Sequence, residues 1–287
     1  AEDAALYLSN ANGDTSAAAA AEKGVVSLVE KDAMAAVAKA RELVCILPLN
    51  NLETAPISEG TTAASAAIDD TTASADLVKA VSDAESVIEL KADYAKNVYT
   101  ALASVGGSTV GVVSVKGKLC DKCSAKAASF VRFCDSFNLP VVTFVDTEGF
   151  CECTSPDAAA HLAAVYADAT CAKITVYTGK AIGAAVMAFG TADVKLAWPT
   201  AVISALAPAT AVEFFWHDRL KGVENTAAAR AALEEEYADT EASAFSAANA
   251  SMVDDVIAPD ATRGALITAL DALASKRVQR LAKKHSC

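Results

Sequence analysis

The 287-residue sequence has only three histidines, His161, His217 and His285, in none of the HxH, HxxxH or HExxH spacings that bring two imidazoles to one metal ion. No Ser/His/Asp order stands out either, which argues against a hydrolytic triad. Basic residues are scarce. The 24 Lys and Arg against 36 Asp and Glu leave a formal net charge of -12, which argues against a protein that neutralises a phosphate backbone, so no nucleic-acid partner is expected. No apolar run reaches the roughly 18 to 20 residues that a membrane span requires. The first five residues, Ala1-Glu2-Asp3-Ala4-Ala5, carry neither a basic nor an apolar stretch, so no secretory signal is expected. They also lack an initiator Met, which leaves open a start inside a longer gene product. A cytoplasmic location is the expectation.

Cysteine is present, but not as a disulfide scaffold. Cys134 shares one face of a helical pattern with Ala127, Phe130, Val131 and Phe137, the position of a small core residue. Two pairs are closer together: Cys120-Asp-Lys-Cys123 and Cys151-Glu-Cys153. Each follows a predicted strand, and neighbouring parallel strands would bring their ends close. Four thiolates could then hold Zn²⁺ tetrahedrally, or a labile disulfide could form. The pairs lack glycine-containing knuckles and one is CxC, so reduced thiols and no metal are expected.

What the chain does have is alanine-rich apolar content, 53% of residues, enough for a sizeable core. Residues 25–29 read as a strand and residues 33–47 as a helix. Residues 48–56 (PLNNLETAP) form a proline-bounded linker that residues 57–75, rich in Ser, Thr and Ala, extend over a surface. A helix is expected within 76–104. Then a pattern repeats. Strand-length runs begin at Thr109 (TVGVVSV), Val141 (VVTFV) and Lys173 (KITVYT), roughly 32 residues apart, each followed by a helical stretch: 124–137, 156–167 and 184–189. Runs apolar on both faces that alternate with helices indicate buried strands joined by right-handed crossovers, an α/β fold. Two short strands are expected around Trp198-Pro199. Residues 227–250 read as helical. Asp260 is placed as the N-cap of a last helix, 261–274, with Leu266, Ile267, Leu270 and Leu273 on one face.

The strongest candidate site is the turn Thr178-Gly-Lys-Ala-Ile-Gly183-Ala184-Ala185. A helix starting near Ala184 leaves unpaired N–H groups and a positive dipole end at the mouth of the turn, and small residues admit a ligand oxygen. Ordinary close packing of strand on helix is the competing reading. Met187, taken by itself, reads as a core methionine on a helix. Glu148 is either a catalytic carboxylate or, more simply, a solvated turn residue. His217 is expected at a helix end, satisfying local backbone, and Glu234-Glu-Glu236 on a solvated helix face.

Four blocks of the sequence resemble the carboxyltransferase (beta) subunits of biotin-dependent acyl-CoA carboxylases and decarboxylases. They are SFVRFCDSFNLPVVTFVD (129–146), KITVYTGKAIG (173–183), AWPTAVI (197–203) and LASKRVQR (273–280). Their order and approximate spacing match as well, and four ordered blocks are a specific signal. The resemblance runs from about residue 92 to 285 and, more loosely, over 24–51.

The resemblance implies a crotonase-like spiral of repeated β-β-α units with C-terminal helices. It also implies an active site between an acyl-CoA-binding N-terminal domain of one subunit and a biotin-binding C-terminal domain of another. On that footing residues 1–55 are a remnant of the first domain plus linker, and residues 56–287 are the second. Its partners would be acyl-CoA, a biotin carboxyl carrier protein, a biotin carboxylase, the N-terminal carboxyltransferase half and further copies in a trimer or hexamer. Gly183 and the N–H groups of Ala184 and Ala185 match the family's biotin-facing oxyanion hole, although Gly is usual where Ala184 stands. Gly149 and Phe150 match an Asp-x-Pro-Gly-Phe turn beside the cofactor, with Glu148 in place of Pro. Met187 falls where relatives line the acyl pocket. No side chain is an obvious base, and in the family the departing biotin itself can accept the proton. Two other expectations stand beside this one: a biotin-independent crotonase-fold CoA hydratase or decarboxylase, and a non-catalytic assembly module.

Overall fold

The computed structural model describes residues 16–50, 53–61, 67–221 and 226–278. The chain's first five residues, the end of the 273–280 block and His285 lie outside them. One mixed sheet organises the molecule. Its strands are β1 (Ile88–Leu90), β2 (Val98–Val105), β3 (Ser108–Lys116), β4 (Val141–Thr147), β5 (Lys173–Ile182), β6 (Val194–Ala197), β7 (Val202–Ser204) and β8 (Asp255–Val256). They lie in the order β1-β2-β3-β4-β5-β6-β8, with β7 paired to β5 off that path. β3, β4, β5 and β6 are parallel neighbours, as the 32-residue repeat predicts: Gly111 faces Val141, and Val141 faces Lys173.

The helices among the described residues are α1 (Ala17–Glu22), α2 (Ala33–Ile46), α3 (Ser74–Val81), α4 (Asp121–Ser136), α5 (Pro156–Asp168), α6 (Ala184–Phe189), α7 (Pro208–Phe215), α8 (Thr226–Thr240), α9 (Ala244–Asn249) and α10 (Thr262–Leu273). The two-residue period of the strands divides the core. Val113, Val115, Val141, Val145 and Tyr177 point to a cluster that holds Phe130, Val131, Cys134 and Leu162 of α4 and α5. Val110, Val112, Val142, Phe144, Ile174 and Val176 point to the opposite one, with Leu77 and Val78 of α3 and Leu266 and Leu270 of α10. Cys134 is fully buried, as its helical position predicts.

Three expectations are corrected. Residues 25–29 are irregular rather than a strand. Their apolar side chains find no ladder, and Ser27 carbonyl is tied to Lys91 N–H at 2.8 Å. Within 76–104 the helix ends at Val81, and the rest supplies β1 and β2. Gly106 and Gly107, both at positive φ, close a two-residue turn onto β3. Asp260 is not the cap of the last helix: Pro259–Ala261 is a 3-10 turn, and Ala261 precedes α10 with no side-chain cap.

α10 is fastened instead by an ion pair whose carboxylate is buried and whose guanidinium is partly exposed. Asp83, 3% exposed, accepts bonds from Arg263 at 2.5 Å, Ser104 Oγ at 2.6 Å and Gly107 N–H at 2.8 Å. Arg263 also donates to Val81 carbonyl at 2.7 Å, so one guanidinium joins α10, α3 and the β2–β3 hairpin. Burial alone would raise the Asp83 carboxyl, but the bonds from Arg263, Ser104 and Gly107 outweigh it and hold it below the usual carboxylate range. Asp83→Asn should lower unfolding stability by about 3–5 kcal/mol at pH 7. Because the folded pKa is depressed, that deficit should stay constant down to about pH 4–5 and shrink as pH falls below about 4. Urea titrations of both proteins across pH measure it.

Candidate active site

β5 changes neighbours along its length. Ile174 to Tyr177 pair with β6, whereas Lys180 to Ile182 pair with β7. Its last turn is thereby carried out of the main sheet to Gly183, which has φ 67° and ψ -137°. That conformation is open to glycine and strained for any residue with a Cβ. Gly183 N–H donates to Ser204 carbonyl at 2.9 Å, and Gly183 carbonyl accepts Val186 N–H at 3.1 Å. Between these two bonds stand the N–H groups of Ala184 and Ala185, the first two residues of α6. Neither meets a protein acceptor among the described residues. Ala184 is exposed, while the Ala185 methyl is fully buried and anchors the backbone from below. Two adjacent donors on a packed base suit an anionic oxygen.

Gly149 comes to the same turn. β4 shifts register between Val145 and Thr147, and Gly149, at φ 104°, lies so close that an added Cβ would stand 3.2 Å from Ile182 carbonyl. Thr147 Oγ1 accepts Gly149 N–H at 3.1 Å. Phe150 bridges to Leu119 and packs against the core beside α4. Met187 is 75% exposed, so the core reading fails. Three residues after Ala184, it lies on the same face of α6.

Sequence reasoning missed the frame beneath the turn. Asp146 Oδ1 accepts Lys180 N–H at 3.0 Å, and Lys180 Nζ pairs with Glu148 at 2.8 Å on the exposed rim. The bond from Lys180 draws the Glu148 carboxyl below its usual range. Both carboxylates beside the turn are thus engaged by Lys180, and neither is placed as a free base. No sequence signal links residues 146 and 180, because their meeting depends on the β4–β5 register. His217 stands at a helix end as expected, but its ring faces Glu213 at 3.5 Å rather than backbone. Glu236 receives two bonds from Arg219, at 3.0 and 2.7 Å. The described cysteines are all free, and no group of three or more His, Cys, Asp or Glu among the described residues is placed to hold a metal ion.

The frame predicts a steric requirement at Gly179, where a Cβ would stand 2.4 Å from Asp146 Oδ1. Gly179→Ala should cost about 1–3 kcal/mol, and adding Asp146→Ala should recover part of it. Unfolding of the two single variants and the double variant measures the coupling; additive losses would contradict the contact.

The chain matches a known family and known folds. The carboxyl transferase domain family matches residues 9–287. The chain is 39% identical over 226 residues to the mitochondrial propionyl-CoA carboxylase beta chain of Homo sapiens, covering 74% of this chain and 40% of that one. It is 32% identical over 288 residues to methylmalonyl-CoA decarboxylase subunit alpha of Propionigenium modestum, covering 91% and 56%. A crystal structure of transcarboxylase 12S, described as a hexamer with methylmalonyl-coenzyme A and methylmalonic acid bound, superposes with a TM-score of 0.84 at 32% identity, covering 99% of this chain and 61% of that one. The fold is crotonase-like α/β. The chain spans about half the length of the curated relatives it matches.

Proposed function

The chain belongs to the carboxyl transferase domain family, and we propose on that premise that it supplies the biotin-facing half of an active site that moves a carboxyl group between carboxybiotin and a short-chain acyl-CoA. The observation that carries the reading is the pair of helix-start N–H groups at Ala184 and Ala185, free of protein acceptors among the described residues. Carboxybiotin, borne by a partner, would supply the carboxyl group and negative charge at its ureido oxygen. The Ala184 and Ala185 N–H groups hold that charge, Gly183 sets their direction, and Gly149 and Phe150 form the adjoining wall. Backbone donors fixed in advance need no reorganisation as charge develops. Met187, exposed beside them, is positioned to meet the acyl group.

The other half of the site, which binds acyl-CoA, comes from an N-terminal carboxyltransferase half. Residues 1–55 belong to that half and its linker, and residues 56–287 form the C-terminal domain. Exposed apolar side chains support this division. Val25, Val29, Met34, Val37, Val44 and Leu49 face outward, while Leu43, Ile46 and Leu47 pack against the core of the second domain. Phe214 and Phe215, 75% and 65% exposed on α7, mark a further surface for covering in an assembly. We assign as partners a biotin carboxyl carrier protein, a biotin carboxylase and further copies in a trimer or hexamer. A biotin-independent hydratase or decarboxylase would need a free carboxylate at the turn, and Asp146 and Glu148 both bind Lys180.

The test joins the chain to its N-terminal half and a biotinylated carrier. Avidin-sensitive carboxyl exchange between acyl-CoA esters is expected, and no exchange would overturn the reading. Ala184→Pro deletes one donor at a helix position where proline is tolerated. It should cost roughly 10²–10³-fold in exchange with little change in unfolding midpoint. Ala184→Gly keeps the N–H and should retain activity. Equal activity of the Pro and Gly variants would remove the donor from the mechanism.

A further inference from the structure

The carboxyl-transfer reading leaves one cluster of reactive groups unused. α4 is a sixteen-residue helix, and its N-cap is Cys120. Cys123 lies three residues on, in the first turn, and the two sulfurs are 3.2 Å apart. Residues at that spacing on one helical face lie within the reach of a disulfide without large backbone movement. The two thiols differ in access. Cys120 is partly exposed, whereas Cys123 is only 2% exposed and sits behind it.

They also differ in chemistry. Burial tends to raise the Cys120 thiol, but the neighbouring Cys123 and Lys122 backbone and the Cys123 thiol outweigh it and bring it below its ordinary value. Cys123 is pushed up to about 11, chiefly by burial. A partly exposed sulfur in contact with a buried one at the start of the same helix is the arrangement of an attacking and a resolving cysteine. The neighbouring pair lacks it. Cys151 is held above its ordinary value by burial and by Cys153, and neither stands at a helix start.

We propose that Cys120 and Cys123 form a reversible oxidation site for peroxide, with Cys120 attacking and Cys123 resolving. The Cys120 thiolate displaces hydroxide from hydrogen peroxide: an S–O bond forms, the O–O bond breaks, and the hydroxide takes up the proton that Cys120 released, giving water. The Cys123 sulfur then attacks the Cys120 sulfur. The S–S bond forms, the S–O bond breaks, and the departing hydroxide leaves as water with the Cys123 proton. Two thiols and one peroxide give one disulfide and two waters, with two electrons passing from sulfur to peroxide. This step is independent of carboxyl transfer.

The site lies close to the proposed cofactor wall. Leu119, one residue before Cys120, donates its N–H to Gly149 carbonyl at 3.0 Å and accepts Cys151 N–H at 2.7 Å. A change at Cys120 therefore occurs beside the segment that holds the Gly149–Cys151 loop.

The test treats the reduced full chain with equimolar hydrogen peroxide, alkylates the remaining thiols and maps tryptic peptides by mass. Cleavage after Lys118, Lys122 and Lys126 separates LCDK from CSAK. The expected product is these two peptides joined by a disulfide, reversed by dithiothreitol, with exposed Cys45 and Cys153 still alkylated. Cys123→Ser should leave Cys120 as a sulfenic acid that dimedone traps, while Cys120→Ser should give no trapped species at Cys123. Unfolding midpoints matching the parent confirm that the variants are folded. Oxidation at Cys45 ahead of Cys120, a link from Cys151 to Cys153 in place of the joined peptides, or no dimedone adduct in folded Cys123→Ser would each overturn the proposal.

Discussion

The proposed function depends on the fate of three consecutive backbone N–H groups, at Gly183, Ala184 and Ala185. Gly183 directs its own N–H into the protein, to Ser204 carbonyl, and so fixes the chain as it leaves β5. The next two, at the head of α6, have no acceptor within the described structure. An α-helix cannot satisfy its first N–H groups from within. Here the strand before it turns through a positive φ, and the buried Ala185 methyl holds the opposite side in place. The two donors are therefore bracketed by bonded neighbours and meet no acceptor among the described residues, and donors oriented in advance are what charge stabilisation by a backbone uses.

The rest of the architecture makes that turn possible. β5 extends beyond its pairing with β6 and finds β7, which supplies Ser204. The register shift in β4 brings Asp146 under Lys180 and Gly149 against Ile182. On the far side of the sheet, Asp83 and Arg263 bind α10 to the β2–β3 hairpin, and Trp198 Nε1 donates to Thr262 Oγ1 at 2.9 Å in the interior. The outward faces of residues 25–49 and of α7 carry exposed apolar side chains.

Much of this was legible in the sequence where the physics is local and repetitive. β3, β4 and β5 are buried along most of their length, so they appear as largely apolar runs broken only by Thr, Ser or Gly in the sheet interior, and their 32-residue spacing is the crossover unit itself. The turn at Gly183 was legible because a strand-length run ends at a glycine before small helix formers, and because its block resembles the carboxyltransferase family. β2 was not. Its Ala-containing run suits a helix as well as a strand, and the Gly106–Gly107 pair that marks the hairpin was the signal overlooked. Residues 25–29 misled because an apolar run needs an edge to pair with, which no sequence window shows. The Asp146–Lys180 contact joins residues 34 apart in sequence and exists only through the β4–β5 register. The exposure of Met187 depends equally on tertiary placement.

The central claim is that the amides of Ala184 and Ala185 receive an anionic cofactor oxygen. The most direct measurement is a crystal structure of the chain, assembled with its N-terminal half, with biotin bound. The account predicts the ureido oxygen about 2.7–3.1 Å from both nitrogens, beside Gly149 and Phe150. Biotin bound elsewhere, or a protein carbonyl occupying those two donors in the assembled enzyme, would contradict it.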